Sequence, residues 1–207
     1  MKRNKKLVYG IGTNDLANNI KKQQEIGLTT DLYEESRKAW NARLNAQKNG
    51  RATVCKDWQL HSNFARWWLD TRIEGWYIDK DWLVAGNKEY HPDKCCWVPA
   101  KINTLMNSGR KKATGLPKGV CIERKSYKDA VYEYYQARCK VNDVQKYKNF
   151  KTANDAHRQW QLWKILEIDN VINEYSTDIR LDRRIVTRLI EIRDSIQTDY
   201  NNNIETQ

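Results

Sequence analysis

Two hydrophobic periods alternate along this chain. Leu32, Trp40 and Leu44 stand among charged residues and predict a helix over 31–49, with Thr30 or Asp31 as its cap. Leu60, Phe64, Trp67 and Trp68 repeat at helical spacing and predict a second helix over 57–70. The pattern then shortens. An alternating run over 76–83 carries Asp79, Lys80 and Asp81, and a turn signal follows at Gly86-Asn87. A second run over 94–98 leads to Pro99, which suits the first turn of a helix that places Ile102, Leu105 and Met106 inward and Asn103 on a neighbouring face.

Residues 108–118, SGRKKATGLPK, have the composition of a linker. Beyond them come three β-rich runs over 119–125, 131–141 and 144–151. In the middle run Val131, Glu133, Tyr135, Ala137, Cys139 and Val141 share one face, and Tyr132, Tyr134, Gln136, Arg138 and Lys140 share the other. A helix over 153–175 follows, with Ala156, Trp160, Trp163, Ile168 and Ile172 as its apolar positions. A last helix over 178–200 carries the stripe Leu181, Ile185, Leu189, Ile192 and Ile196, expected to pack on the preceding helix. The first 30 residues read as a loose basic arm and the final NNNIETQ as a disordered tail.

Charge adds a partner to this picture. The chain of 207 residues has a formal net charge of +11, and residues 101–151 hold 13 Lys and Arg against 4 Asp and Glu. Such a concentration on an alternating strand points to phosphate. No apolar run approaches membrane-spanning length and no leader-like apolar segment opens the chain, which predicts a cytoplasmic protein without a membrane partner. The five cysteines, Cys55, Cys95, Cys96, Cys121 and Cys139, include no CxxC pair and read as small hydrophobes rather than a zinc or disulfide framework. His61 beside the aromatic stripe reads as structural.

The pieces IDKDWL (78–83), GNKEY (86–90) and CWVPAKIN (96–103), preceded by Trp40, Val54-Cys55, Trp58, Phe64 and Trp67, resemble the ββα-metal motif of phage-type HNH homing endonucleases. The resemblance implies a metal-dependent hydrolase that nicks or cuts double-stranded DNA, with one Mg²⁺ or Mn²⁺ stabilising the leaving oxygen. It implies catalytic roles for Asp79, Asp81, His91 and Asn103, and metal ligation by Asp79, Asp81 and Asn103. The sequence departs from the family where it matters most. No histidine stands on the first strand, where Asp79 or Lys80 occupies the place of the base. The motif's middle Asn is replaced near Lys94, with Asn87 in the loop. His91, between Tyr90 and Pro92, is the nearest imidazole.

Further along, Gly119-Val120, Tyr135-x-Ala137, Tyr147-x-x-Phe150-x-Thr152 and Asp155-Ala156 resemble the Apetala-type domain of plant ethylene-response factors, which phage endonucleases also carry. Tyr135 stands where that family usually has Trp. The family lays its sheet in the DNA major groove, which implies DNA contacts from Arg110, Lys111, Lys112, Arg124, Lys125, Tyr134, Gln136, Arg138, Lys140, Lys146 and Lys148.

The expected fold is α+β. Its parts are a basic arm (1–30), an HNH-like ββα-metal domain packed on helices (31–108), a linker (109–118), an Apetala-like three-stranded antiparallel sheet plus helix (119–175), and a C-terminal helix and tail (176–207). Enzyme is favoured over binder on the ground that two aspartates on one hairpin are costly without a counter-ion. The alternatives are a degenerate HNH-fold DNA-binding protein and a phage protein that acts on a host partner.

Overall fold

Aromatic side chains at helical spacing build the first half of the molecule. In a computed structural model that describes residues 7–105, 115–127 and 130–206, the chain divides into two units, Met1–Trp97 and Val98–Gln207. The division falls inside the 31–108 segment marked from sequence. The architecture is the expected mixture of helices with a three-stranded antiparallel sheet and a C-terminal helix. Among the described residues no helix is long and apolar enough to cross a membrane.

In the first unit, α1 (Ile20–Glu25) leads into α2 (Thr30–Lys48). The cap of α2 is Thr29, one residue before the expected position, whose hydroxyl accepts from Leu32 N at 3.3 Å. β1 (Thr53–Val54) and a short 3₁₀ turn (Asp57–Gln59) precede α3 (His61–Thr71), so the helix expected over 57–70 is broken at Leu60. β2 (Tyr77–Asp79) pairs with β4 (Cys96–Val98), and β3 (Glu89–Tyr90) pairs in parallel with β1. The core joins Trp40, Leu44, Val54, Cys55, Trp58, Phe64, Trp68, Ile78 and Cys95. Trp40 Nε1 donates to Trp58 O at 2.6 Å, which satisfies the one polar atom of a fully buried indole.

Residues 8–16 are tied into the first unit, contrary to the loose arm expected over 1–30. Thr13 N donates to Gln59 O at 2.8 Å and His61 N to Thr13 O at 3.1 Å. Asp15 Oδ1 accepts from Ser62 N at 2.9 Å. It thereby supplies the cap that the apolar Leu60 cannot give α3. Gly12 is required here, because a Cβ at this position would lie 2.6 Å from Leu44 and Trp40. His61 is fully buried, stacked on Trp40 with ring centroids 4.9 Å apart, and its Nδ1 lies 3.1 Å from Asn14 Oδ1.

In the second unit, α4 (Ala100–Leu105) is tied to α5 (Ala153–Tyr175) by the buried Lys164 ammonium on the Leu105 carbonyl and by Lys101–Glu174 at 2.6 Å. Strands β5 (Val120–Tyr127), β6 (Ala130–Val141) and β7 (Val144–Phe150) form one antiparallel sheet in that order. Its inner face buries Val120, Ala137, Cys139 and Val141 beneath Ala156 and Trp160 of α5. Helix α6 (Arg183–Asn201) buries Ile185, Leu189 and Ile196, the stripe marked from sequence, and packs on α5. The tail is not loose. His157 Nε2 accepts from Thr206 N at 3.0 Å and Gln161 Nε2 donates to Ile204 O at 2.9 Å, which fixes residues 204–206 on α5.

Burial in an aromatic core pushes the His61 pKa down to about 4. The depressed value means that the folded state holds neutral imidazole. Its contribution is complete above the unfolded pKa of about 6.5 and is lost as pH falls toward 4, on the order of 3 kcal/mol in all. Thermal unfolding is therefore expected to show a falling melting temperature from pH 7 to pH 4.5, with a shallower slope in His61→Gln. An equal slope in both proteins would place the acid sensitivity elsewhere.

Candidate nucleic-acid interface and the acidic loop

Asp79 closes strand β2. Its Oδ1 accepts from Asp81 N at 2.6 Å and from Trp82 N at 3.1 Å, a turn that bends the backbone out of strand geometry. The run expected to continue to residue 83 therefore stops at Asp79, and Asp81 stands on the following loop. Asn87 draws the loop shut: its Nδ2 donates to Lys80 O and to Glu89 O, both at 2.8 Å. Burial raises the Asp79 pKa, opposed by the two backbone donors.

Cations of the protein surround these carboxylates. Lys80 Nζ is 2.6 Å from Asp81 Oδ1, with 15% of the lysine side chain exposed, and lies 5.9 Å from the Tyr90 ring centroid. Arg43 of α2 stands 5.6 Å from the same ring, and burial pushes its pKa down. His91 turns to its own loop. Its Nδ1 accepts from Asp93 N at 3.2 Å and lies 3.6 Å from Asp93 Oδ2. Asn103 is on α4, in the second unit, whereas Asp79, Asp81 and His91 belong to the first.

These donors do not fit Mg²⁺ or Mn²⁺. A hard cation needs several oxygen ligands with net negative charge, but one Asp79 oxygen is spent on backbone N–H groups and Asp81 is neutralised by Lys80. Among the described residues no group of three or more His, Cys, Asp and Glu side chains is placed to hold a metal ion. Lys80 supplies a counter-ion to Asp81, and two backbone N–H groups satisfy Asp79.

The second candidate is the outer face of the sheet. The hairpin between β6 and β7 turns on Asn142 (φ 48°) and Asp143 (φ 64°), a two-residue connection that pairs Val141 with Val144. This register sets Arg138 opposite Tyr147 and Gln136 opposite Asn149, and β5 sets Glu123 opposite Tyr134. A network then crosses all three strands. Arg138 is ion-paired with Glu123, its Nε donates to Gln136 Oε1 at 2.7 Å, and Gln136 Nε2 donates to Asn149 Oδ1 at 2.8 Å. The Arg138 guanidinium also lies 5.8 Å from the Tyr147 ring centroid.

The register sorts the residues marked from sequence. Lys125, Tyr134, Gln136, Arg138 and Lys140 lie on the outer face. Arg124, Lys146 and Lys148 lie on the opposite one, because their partners Glu133, Cys139 and Ala137 share the α5 side. Lys148 accordingly reaches Gln159 of α5 at 3.4 Å. Arg110, Lys111 and Lys112 are outside the described residues. Glu123, Gln145, Tyr147 and Asn149 join the outer face unforeseen. The Asn142-Asp143 turn was the signal that places the last three, since a two-residue hairpin fixes its register.

Compared with known proteins, the chain matches no protein-family model, no curated protein and no solved structure.

The two aspartates are expected to differ in stability. Asp79→Ala removes two loop hydrogen bonds and should cost about 1–3 kcal/mol in chemical denaturation. Asp81→Ala removes an exposed ion pair and should cost about 0–1 kcal/mol. Millimolar Mg²⁺ or Mn²⁺ should leave the melting temperature unchanged. A metal-dependent rise abolished by Asp81→Ala would show that the loop takes a divalent ion after all.

Proposed function

We propose that this chain is a double-stranded DNA-binding protein that reads sequence with the outer face of the β5–β7 sheet. The Glu123–Arg138–Gln136–Asn149 network is the observation that carries the reading. The base edges of the major groove are read by guanidinium on guanine, by side-chain amide on adenine and by carboxylate on cytosine. All three groups stand here in one held row. Arg138 gives up little rotamer freedom on binding, because Gln136 and Tyr147 already hold it. Lys125 and Lys140 flank the row and supply phosphate contacts, with Arg110, Lys111 and Lys112 of the basic segment as further phosphate partners in this reading.

A second reading, a metal-dependent HNH-type endonuclease, is favoured by the order β2, β4, α4 with Asp79 at the end of the first strand. Plasmid incubated with the protein in Mg²⁺, Mn²⁺ or EDTA separates the two. Nicking that needs the ion and disappears in Asp81→Ala would establish the enzyme.

Arg138→Ala is expected to weaken binding by about 1–3 kcal/mol at a preferred sequence and to relax the preference there. Lys148→Ala, on the opposite face, should leave affinity nearly unchanged. In anisotropy titrations each phosphate contact should add about −0.9 to the slope of log K against log salt. A flat salt response, or equal losses from both substitutions, would contradict the assignment.

A further inference from the structure

The first unit holds a cleft that neither the acidic loop nor the sheet accounts for. Its volume is about 380 Å³, within the range of small-ligand sites. Trp68, Trp76 and Trp97 line it together with Arg43, Arg72, Glu35 and Glu74. Trp97 is held in place: it stacks on Trp67 with centroids 6.2 Å apart and planes at 13°, and its indole N–H donates to Thr71 Oγ1 at 3.1 Å. Of these indoles Trp68 is buried in the core, while Trp76 and Trp97 are half-buried.

The cations at this cleft are weakly answered. Arg72 lies 4.6 Å over the Trp68 ring and 3.4 Å from a half-exposed Glu35 carboxylate, a long and screened pair. Arg43 gives its terminal nitrogens to the carbonyls of Ala39 at 2.9 Å and Ile78 at 3.3 Å, while its buried Nε has no acceptor. Among the described residues it forms no ion pair with a carboxylate. A buried guanidinium in that condition is stabilised by an anion nearby.

Indole faces beside under-neutralised guanidinium groups suit a ligand that is a flat ring at one end and an anion at the other. We propose that the cleft binds one unpaired nucleotide, its base stacked among Trp68, Trp76 and Trp97 and its phosphate drawn by Arg72 and Arg43. This rests on the reading of the chain as a DNA-binding protein, which selects nucleic acid among planar anions. Stacking on aromatic rings is the sequence-tolerant way to hold a base outside a duplex. One molecule would thus hold duplex on the sheet of its second unit and an unpaired base in its first.

The test uses the full chain and a fluorescently labelled short oligothymidylate, followed by anisotropy, with thymidine monophosphate and an abasic oligomer as competitors and a labelled duplex in parallel. Trp76→Ala and Arg72→Ala are each expected to weaken the single strand about five-fold to a hundred-fold, the range that loss of one stacked base gives, while duplex affinity stays unchanged. Arg138→Ala should do the reverse. Competition by the monophosphate as strong as by the oligomer supports the cleft and makes a free nucleotide its ligand. Weaker competition supports it with a strand as the ligand. Equal competition by the abasic oligomer, or single-strand affinity indifferent to both cleft substitutions, overturns the proposal. If duplex binding persists in that case, only the cleft assignment fails. Loss of both ligands in the wild type would sink the DNA-binding reading itself.

Discussion

The pairing of Val141 with Val144 across a two-residue turn is the constraint on which the second unit depends. Side chains alternate along a strand with a period of two, so a slip of one residue would exchange the faces of the sheet. In the observed register Ala137, Cys139 and Val141 meet Trp160 and Ala156 of α5, and Gln136, Arg138 and Lys140 are left outside. Burial of the first set stabilises the register, and the register creates the second set. Asn142 and Asp143 accept the positive φ the turn needs, and Glu167 of α5 takes the Asn142 N–H at 2.7 Å. Gly119 completes the fit at the other end: at φ +74° it also leaves space for Trp160, which a Cβ would strike at 1.9 Å. The fold and the proposed reading surface are thus two results of one alignment.

The acidic loop is governed by a different balance. Two carboxylates two residues apart would repel, and a metal is one way to relieve that. Here Lys80 between them pairs with Asp81, and Asp79 is satisfied by two backbone donors. Such a loop holds its shape with the charge already balanced. On the sheet, Arg138 is held against Glu123 and Gln136 while its side chain stays exposed to solvent.

Much of the second unit was legible in the sequence, because alternation from Val131 to Val141 and the change to helical spacing near Ala153 are local signals. The positions of Glu123, Tyr147 and Asn149 required register, as did the placing of Lys146 and Lys148 on the α5 side. Contacts distant in sequence were invisible. Asp15 capping α3 across 47 residues and His157 holding Thr206 across 49 leave no periodic trace, so both chain ends looked loose. The acidic loop was half legible. Asp79-Lys80-Asp81 was marked as a site, but an aspartate followed by two turn-forming N–H groups is as much a turn signal as a ligand signal. Of the cleft's tryptophans, Trp68 was read as core from its helical spacing, and Trp76 and Trp97 stood in runs read as strands.

The central claim is that double-stranded DNA covers the outer face of the sheet, and one thiol reports on it. Cys121 opposes Gln136 on that face and is half-exposed, whereas Cys55, Cys95, Cys96 and Cys139 are buried. Alkylation of the native protein followed by peptide mass spectrometry measures the Cys121 rate with and without saturating duplex. The account predicts that duplex slows modification of Cys121 severalfold and that an Arg138→Ala protein at the same DNA concentration shows less protection. An unchanged Cys121 rate in the presence of bound duplex would contradict it, and would mean that the DNA lies on another surface of the molecule.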